Sequence, residues 1–284
     1  VFTGICVCGL VGNMMVVWFL GFRMKKNPFT VYVLNLAVAD FSLLLFLLVI
    51  LTLQIISKSS CVSIYNYFLS SYILIGLFLF WYFAGMYLLT AMSMERCLSV
   101  LFPIWYRCHR PKRLSGITCG VLWAVTGLLD SSALITCYSF GNTPCEKLLQ
   151  GLSTVNFLAF SFFPLISNLC LFIRLRCGSQ RRHPGKIYVV VLLSVIFMFT
   201  LGLPFSVVLF LEPDSSNLVY LHITYLPASL NSSINPLIYF LVGSCRHCRF
   251  QGSVKVAFQR VFEEKTMSEE RSHVPGDTSV GTAV

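Results

Sequence analysis

The predicted fold is all-α: a bundle of seven membrane-crossing helices followed by a short amphipathic helix. Three observations predict it. Of 284 residues, 56% are hydrophobic and only 11% charged, with a mean hydropathy of +0.78, whereas soluble domains carry about a quarter charged residues. Such a chain has too little polar surface to cover a water-soluble globule, and the same numbers exclude intrinsic disorder, collagen and a disulfide-stapled miniprotein. Seven apolar runs, each long enough for the ~20 residues a spanning helix needs, are separated by short polar segments. Lastly, the basic residues are segregated: all 21 Lys and Arg except Lys58 and Lys147 lie in or beside alternate connections or after the last run.

The runs occupy residues 1–22, 29–56, a long stretch within 64–100, 114–137, 152–173, 187–211 and 218–242. They read as helices because a lipid-exposed backbone must satisfy its own hydrogen bonds, and the short alternating segments of a barrel are missing. Arg23, Lys25 and Lys26 separate runs one and two; Arg96, Arg107, Arg110, Lys112 and Arg113 adjoin runs three and four. Arg174, Arg176, Arg181, Arg182 and Lys186 separate five and six, and Arg246, Arg249, Lys255, Arg260, Lys265 and Arg271 follow seven. The positive-inside rule then places the N-terminus outside and the C-terminus in the cytoplasm. The net charge of +10 is therefore a topogenic signal that draws anionic membrane lipid, and nucleic acid is not an expected partner. Residue 1 is Val, already within the first run, so a fragment lacking its outer N-terminal segment is expected. No internal repeat marks a transporter of duplicated halves.

Three regions follow: a bundle over 1–243, an amphipathic membrane-surface helix over 244–262 and a disordered cytoplasmic tail over 263–284. Phe250, Val254, Ala257, Phe258, Val261 and Phe262 recur at helical spacing, with Arg249, Lys255, Gln259 and Arg260 between them, as a surface-lying helix requires. Beyond Glu263 the chain is polar.

Charge inside a span marks function by default. Asp40 lies about 17 Å, eleven helical residues, into the second run. It is either a switch that binds Na⁺ or a proton, or a packing acid bonded to Asn13 and Asn235. Asp130 lies about 10 Å before the end of the fourth run. Arg96 cannot shed its charge; it either pairs with Glu95, snorkels or faces a partner arriving from the cytosol. Pro164, Pro204 and Pro236 interrupt their runs and serve as hinges or as plain kinks.

Taken in order, Gly12-Asn13, Leu36-Ala-Val-Ala-Asp40, Glu95-Arg96-Cys97, Trp123, Pro164, Pro204 and Asn235-Pro236-Leu-Ile-Tyr239 resemble a rhodopsin-like G-protein-coupled receptor across nearly the whole chain. The match is closer to the Mas-related receptors in Phe22-Arg-Met-Lys-Lys-Asn-Pro-Phe29, in the stretch from Glu95 to Pro111 and in Ile238-Tyr-Phe-Leu-Val-Gly-Ser244. Gly202, where most rhodopsin-like receptors carry tryptophan, agrees with that subfamily. Ser71 removes the usual cysteine of span three, and the resemblance implies instead a disulfide between Cys137 and Cys145.

The resemblance implies a plasma-membrane receptor. An extracellular ligand, a peptide or small amine rather than a lipid, favours a packing that opens inward to a heterotrimeric G protein. Glu95, Arg96, Tyr239, Asn235, Pro236 and Pro204 form the coupling and activation switch, with Tyr239 swinging toward Arg96. Asp40, Asn13 and Asn235 form the polar core; Na⁺ at Asp40 is the one candidate cofactor, weakened by Gly85 where a serine often helps. Pro184 replaces an acid that locks the arginine elsewhere. Ala133 and Gln150 or Gly151 replace the acids on which related receptors hold cations, leaving Asp130 and Glu146, with Glu212 and Asp214 near the mouth. Phe78, Tyr82, Phe205 and Tyr225 are either the pocket's aromatic floor or helix packing.

Cys245 and Cys248 are palmitoylation candidates beside the surface helix; zinc would need further ligands. The terminal Thr282-Ala283-Val284 has the form of a PDZ-domain ligand, and arrestin is the other expected tail partner. The parts of an enzyme are missing, with no H-E-x-x-H and no G-x-S-x-G. A retinal-binding opsin is excluded because no lysine lies between Lys186 and Lys255. An ion channel or transporter using Asp40 and Asp130 is the alternative.

Overall fold

The computed structural model describes residues 2–24, 27–59, 64–140, 142–177, 186–211, 218–246, 249–250, 258 and 261–262. The helices are α1 (Phe2–Trp18), α2 (Pro28–Ser59), α3 (Ile64–Leu101), α4 (Pro103–Cys108), α5 (Leu114–Phe140), α6 (Asn142–Cys177), α7 (Lys186–Phe197), α8 (Leu203–Leu211) and α9 (Leu218–Ser244). A π-helical turn, Phe19–Arg23, extends α1, and a second, Met198–Gly202, joins α7 to α8 just before Pro204. Among the described residues six helical stretches are long and apolar enough to cross a membrane. The seventh, α9, carries Pro227, Pro236 and a polar run from Asn231 to Asn235, and packs against α1, α2 and α7.

The predicted runs therefore become the spans, with α7, its π-turn and α8 forming one of them. The helices reach beyond the apolar runs: α6 starts ten residues before the predicted position 152. Cys137 and Cys145 form a disulfide that ties the end of α5 to the start of α6.

Burial is inverted relative to a soluble protein. Leu128, Ile117, Phe162 and Val155 are exposed on the flanks, whereas Asn13, Asp40, Ser194, Ser206 and Asn235 are buried. Lipid solvates the apolar flanks, and polar groups gather where other helices can satisfy them. Local chemistry starts α2: Asn27 Oδ1 accepts from the Thr30 amide and Thr30 Oγ1 from the Asn27 amide, both at 2.8 Å, with Pro28 preset for the first helical position.

Close approach of α1 and α9 depends on Gly9, where an added Cβ would stand 2.2 Å from Ser233 Oγ and 2.6 Å from Leu44 Cδ1. Gly4, on the same helix, has open space at that position. Gly9→Leu should destabilise the bundle by about 1–3 kcal/mol, read as a lowered melting temperature of the solubilised protein; Gly4→Leu should not lower it. Equal effects would sink the packing argument.

The surface helix expected over 244–262 departs from prediction at its start. Cys245–Arg246 pairs antiparallel with Arg249–Phe250 in a two-residue ladder. Phe258 and Val261–Phe262 are helical and buried. Phe258 stacks on Phe19 at 5.6 Å and Phe262 lies 5.9 Å from Phe29, so these two rings pack against the α1 extension and the start of α2. The tail over 263–284, Glu212, Asp214, Pro184 and Cys248 lie outside the described residues, as does the Cys245 side chain.

Candidate functional site

Three groups of residues carry the chemistry, one at the basic end of the bundle, one at its middle and one at the opposite end. At the basic end Glu95 and Arg96 lie in the last two turns of α3. They do not pair with each other. Glu95 Oε1 accepts from the Tyr106 hydroxyl at 2.7 Å and from Arg110 Nη2 at 2.6 Å. Arg110 lies over the Tyr106 ring at 5.0 Å and donates to Ser115 Oγ. Pro103 starts the short helix α4, which brings Tyr106 and Arg110 back under α3. Burial pushes the Tyr106 phenol up to about 12, against the pull of the Arg96 charge, so it stays a donor to the carboxylate. With Arg110 and Glu95 side chains only 5% and 9% exposed, this is a buried ion pair.

Arg96 is thereby left without an acid among the described residues. Its guanidinium lies 4.4 Å from the Phe29 ring centroid, a cation–π contact, and its buried Nε has no hydrogen-bond partner. From Phe29 contacts continue to Phe262 and on to Tyr239, whose ring lies 5.8 Å from Phe262. Tyr239 is buried and its hydroxyl is likewise unpartnered. Two of the expected switch residues thus hold buried polar atoms that this packing does not satisfy, at a cost of about 1–3 kcal/mol each.

At the middle Asn235 Nδ2 donates to Asp40 Oδ2 at 2.8 Å. Asn13 does not join that pair: its Nδ2 donates to Ser232 O at 3.0 Å and to Gly9 O at 2.9 Å, binding α1 to α9. Of the expected trio, only Asp40 and Asn235 touch. A Cβ at Gly85 would lie 3.7 Å from Asp40 Oδ1, so α3 offers the carboxylate no hydroxyl there. Besides the carboxylate, a cation at Asp40 would find the Asn235 amide and the Ser232 hydroxyl, both of which already hydrogen-bond to the acid. At Gly202, the position expected to lack tryptophan, the space is taken by Met86, whose Sδ lies 3.0 Å from where a Cβ would stand. Tyr82 donates its hydroxyl to Gly202 O and bonds Ser206 Oγ, both at 2.8 Å.

At the opposite end a cavity of about 430 Å³ opens between α3, α5 and α6 beside the disulfide. Its walls are apolar, including Ile75, Leu79, Phe83 and Leu152; Tyr87 and Asn156, bonded to each other, and Thr126 add polar groups. Asp130 is half-buried on one wall and Glu146 exposed on another. Such a volume suits a small molecule or a few side chains, and two acids in a mostly apolar cleft suit a cation.

The four aromatics, open between pocket floor and helix packing, take the second role. Phe78 meets Phe205 and Tyr225 edge-on at 5.6 and 4.9 Å, and Tyr82 meets Phe205 at 4.6 Å. Phe78, Tyr82, Phe205 and Tyr225 are buried, outside the cavity wall, and pack α3 against α8 and α9. Ala133 lines the cavity one turn from Asp130. Tyr106, Arg110, Ser115 and Phe29 were not foreseen as site residues. The four-residue spacing of Tyr106 and Arg110 behind Pro103 is a signal in the sequence for those two residues alone.

The chain matches the family model "7 transmembrane receptor (rhodopsin family)" over residues 12–239. It is 38% identical to the proto-oncogene Mas of Mus musculus, covering all of this chain and 89% of that protein. It is 40% identical to Mas-related G-protein coupled receptor member D of Rattus norvegicus, over 93% of this chain and 86% of that one. With member X2 of Pan troglodytes the identity is 42%, over 92% and 81% respectively.

Proposed function

The chain belongs to the rhodopsin family of seven-transmembrane receptors, and on that premise we propose that a cationic extracellular ligand, a peptide or small amine, drives it to activate a heterotrimeric G protein through Arg96. It is a multi-pass plasma-membrane receptor and not an enzyme. In this reading the N-terminus and the Asp130 cavity face outward, and the basic end faces the cytoplasm.

The observation that carries the coupling reading is Arg96: buried at Nε, stacked on Phe29 and free of any acid among the described residues, while Glu95 is held by Arg110. A helix from a G protein entering that end would give the guanidinium carbonyl acceptors, and Tyr239, released from Phe262, would gain a partner for its hydroxyl. Both gains exist only in the open packing. They bias the equilibrium toward it, and the ligand supplies the remainder by binding that packing better. Because the latch among the described residues is a stacking contact and no interhelical ion pair, agonist-free activity is expected to be measurable.

The ligand reading rests on Asp130 and Glu146 in a mostly apolar cleft. A cell-based calcium and cyclic-AMP screen against basic peptides, amines and acidic metabolites should return basic agonists. Asp130→Asn should then raise their half-maximal concentration about 10- to 100-fold, as expected for losing a hydrogen bond to a charged group; Glu146→Gln, more exposed, should act in the same direction but less. Basic agonists acting undiminished on both variants would place the site elsewhere.

A further inference from the structure

At the basic end a second hollow, of about 500 Å³, lies between the start of α2 and the start of α5. Its polar rim is Lys112 and Arg113; its wall is Pro28, Val31, Gly116 and Ile117. Both cations are exposed, and among the described residues neither side chain has an acidic partner or a hydrogen bond. The other polar groups of the hollow are already engaged: Asn27 donates its amide to Phe262 O at 3.0 Å, and Ser115 Oγ accepts from Arg110. Ile117 is 60% exposed, and a Cβ at Gly116 would meet nothing within 4 Å, so the groove is open along α5.

We propose that this groove binds the phosphorylated headgroup of an anionic phospholipid of the inner leaflet, with Lys112 and Arg113 on the phosphates and the acyl chain along Gly116 and Ile117. The charge pattern selects an anion, since two unpaired cations rim a pocket without an acid. The apolar wall selects an amphiphile, since a free phosphate makes no use of Val31 or Ile117. Arg113 can take a phosphate in its planar fork while Lys112 adds a point charge. The proposal shares the orientation argued above but not the G-protein reading, and its test needs neither a signal nor an agonist.

The purified receptor in phosphatidylcholine nanodiscs would be titrated with a headgroup-labelled phosphoinositide. Lys112→Gln/Arg113→Gln should weaken binding about 30-fold, the factor for two basic contacts near a membrane surface. Arg181→Gln/Arg182→Gln removes the same charge between α6 and α7 and should leave binding within a few-fold of the unaltered receptor. Gly116→Leu fills the groove with no change of charge and should also weaken binding. Equal losses in the two double variants would show diffuse surface attraction and overturn the proposal. So would an unaffected Gly116→Leu, or a soluble inositol phosphate that binds as tightly as the lipid. An unaltered melting temperature in each variant separates lost binding from lost folding.

Discussion

Arg96→Ala should bring agonist-stimulated nucleotide exchange on purified Gα down to the rate without receptor, with ligand affinity and melting temperature close to those of the unaltered protein. The side chain stacks over Phe29 but forms no salt bridge among the described residues, so its loss costs less stability than breaking the Glu95–Arg110 pair. Like Arg110 it keeps a buried Nε without a hydrogen-bond partner at the end where a partner would enter, but unlike Arg110 it has no acid among the described residues. Arg96→Lys should retain part of the exchange, since it keeps charge but loses the planar fork that stacks and donates to several acceptors. Phe29→Ala should act oppositely and raise agonist-free exchange, because it removes the stack without touching the donor. Stimulated exchange at the unaltered rate in Arg96→Ala would remove this residue from coupling.

The second large effect is on stability. Glu95→Ala leaves the Arg110 guanidinium, 5% exposed, buried without its counter-charge. Breaking such a pair costs about 3–5 kcal/mol, which for a chain of this size lowers the melting temperature by roughly 5–15 °C. The Tyr106 hydroxyl loses its acceptor in the same step. Glu95→Gln/Arg110→Gln should recover most of the loss, because neither charge then remains alone. A double variant no more stable than Glu95→Ala would mean that Arg110 is held by something other than the acid.

Much of this protein was legible in the chain. The spans follow from counting apolar residues, because hydrocarbon thickness sets the length of helix that must be apolar. The disulfide came with the resemblance and is formed between the expected cysteines. Asp40 and Asn235 meet as one of the two readings of Asp40 required. Other expectations did not survive packing. Asn13 turned to Ser232 O on α9. Of the two readings of the four aromatics, the pocket floor gave way to helix packing outside the cavity walls. The start of the surface helix became a short ladder.

By itself the sequence determined which segments cross the membrane, the asymmetry of basic charge between its two sides, and that few ionisable groups enter it. Each is a property of one segment read against a bilayer of known thickness and charge. Tertiary structure alone decided who meets whom: that Glu95 chooses Arg110 over its neighbour, that Arg96 rests on Phe29, and that Asp130 looks into a cavity while Phe78 does not. Those outcomes depend on how each helix is rotated about its axis and on contacts between residues distant in the chain. An apolar run on a lipid-solvated helix reads almost the same at every rotation, so its pattern carries little of that information.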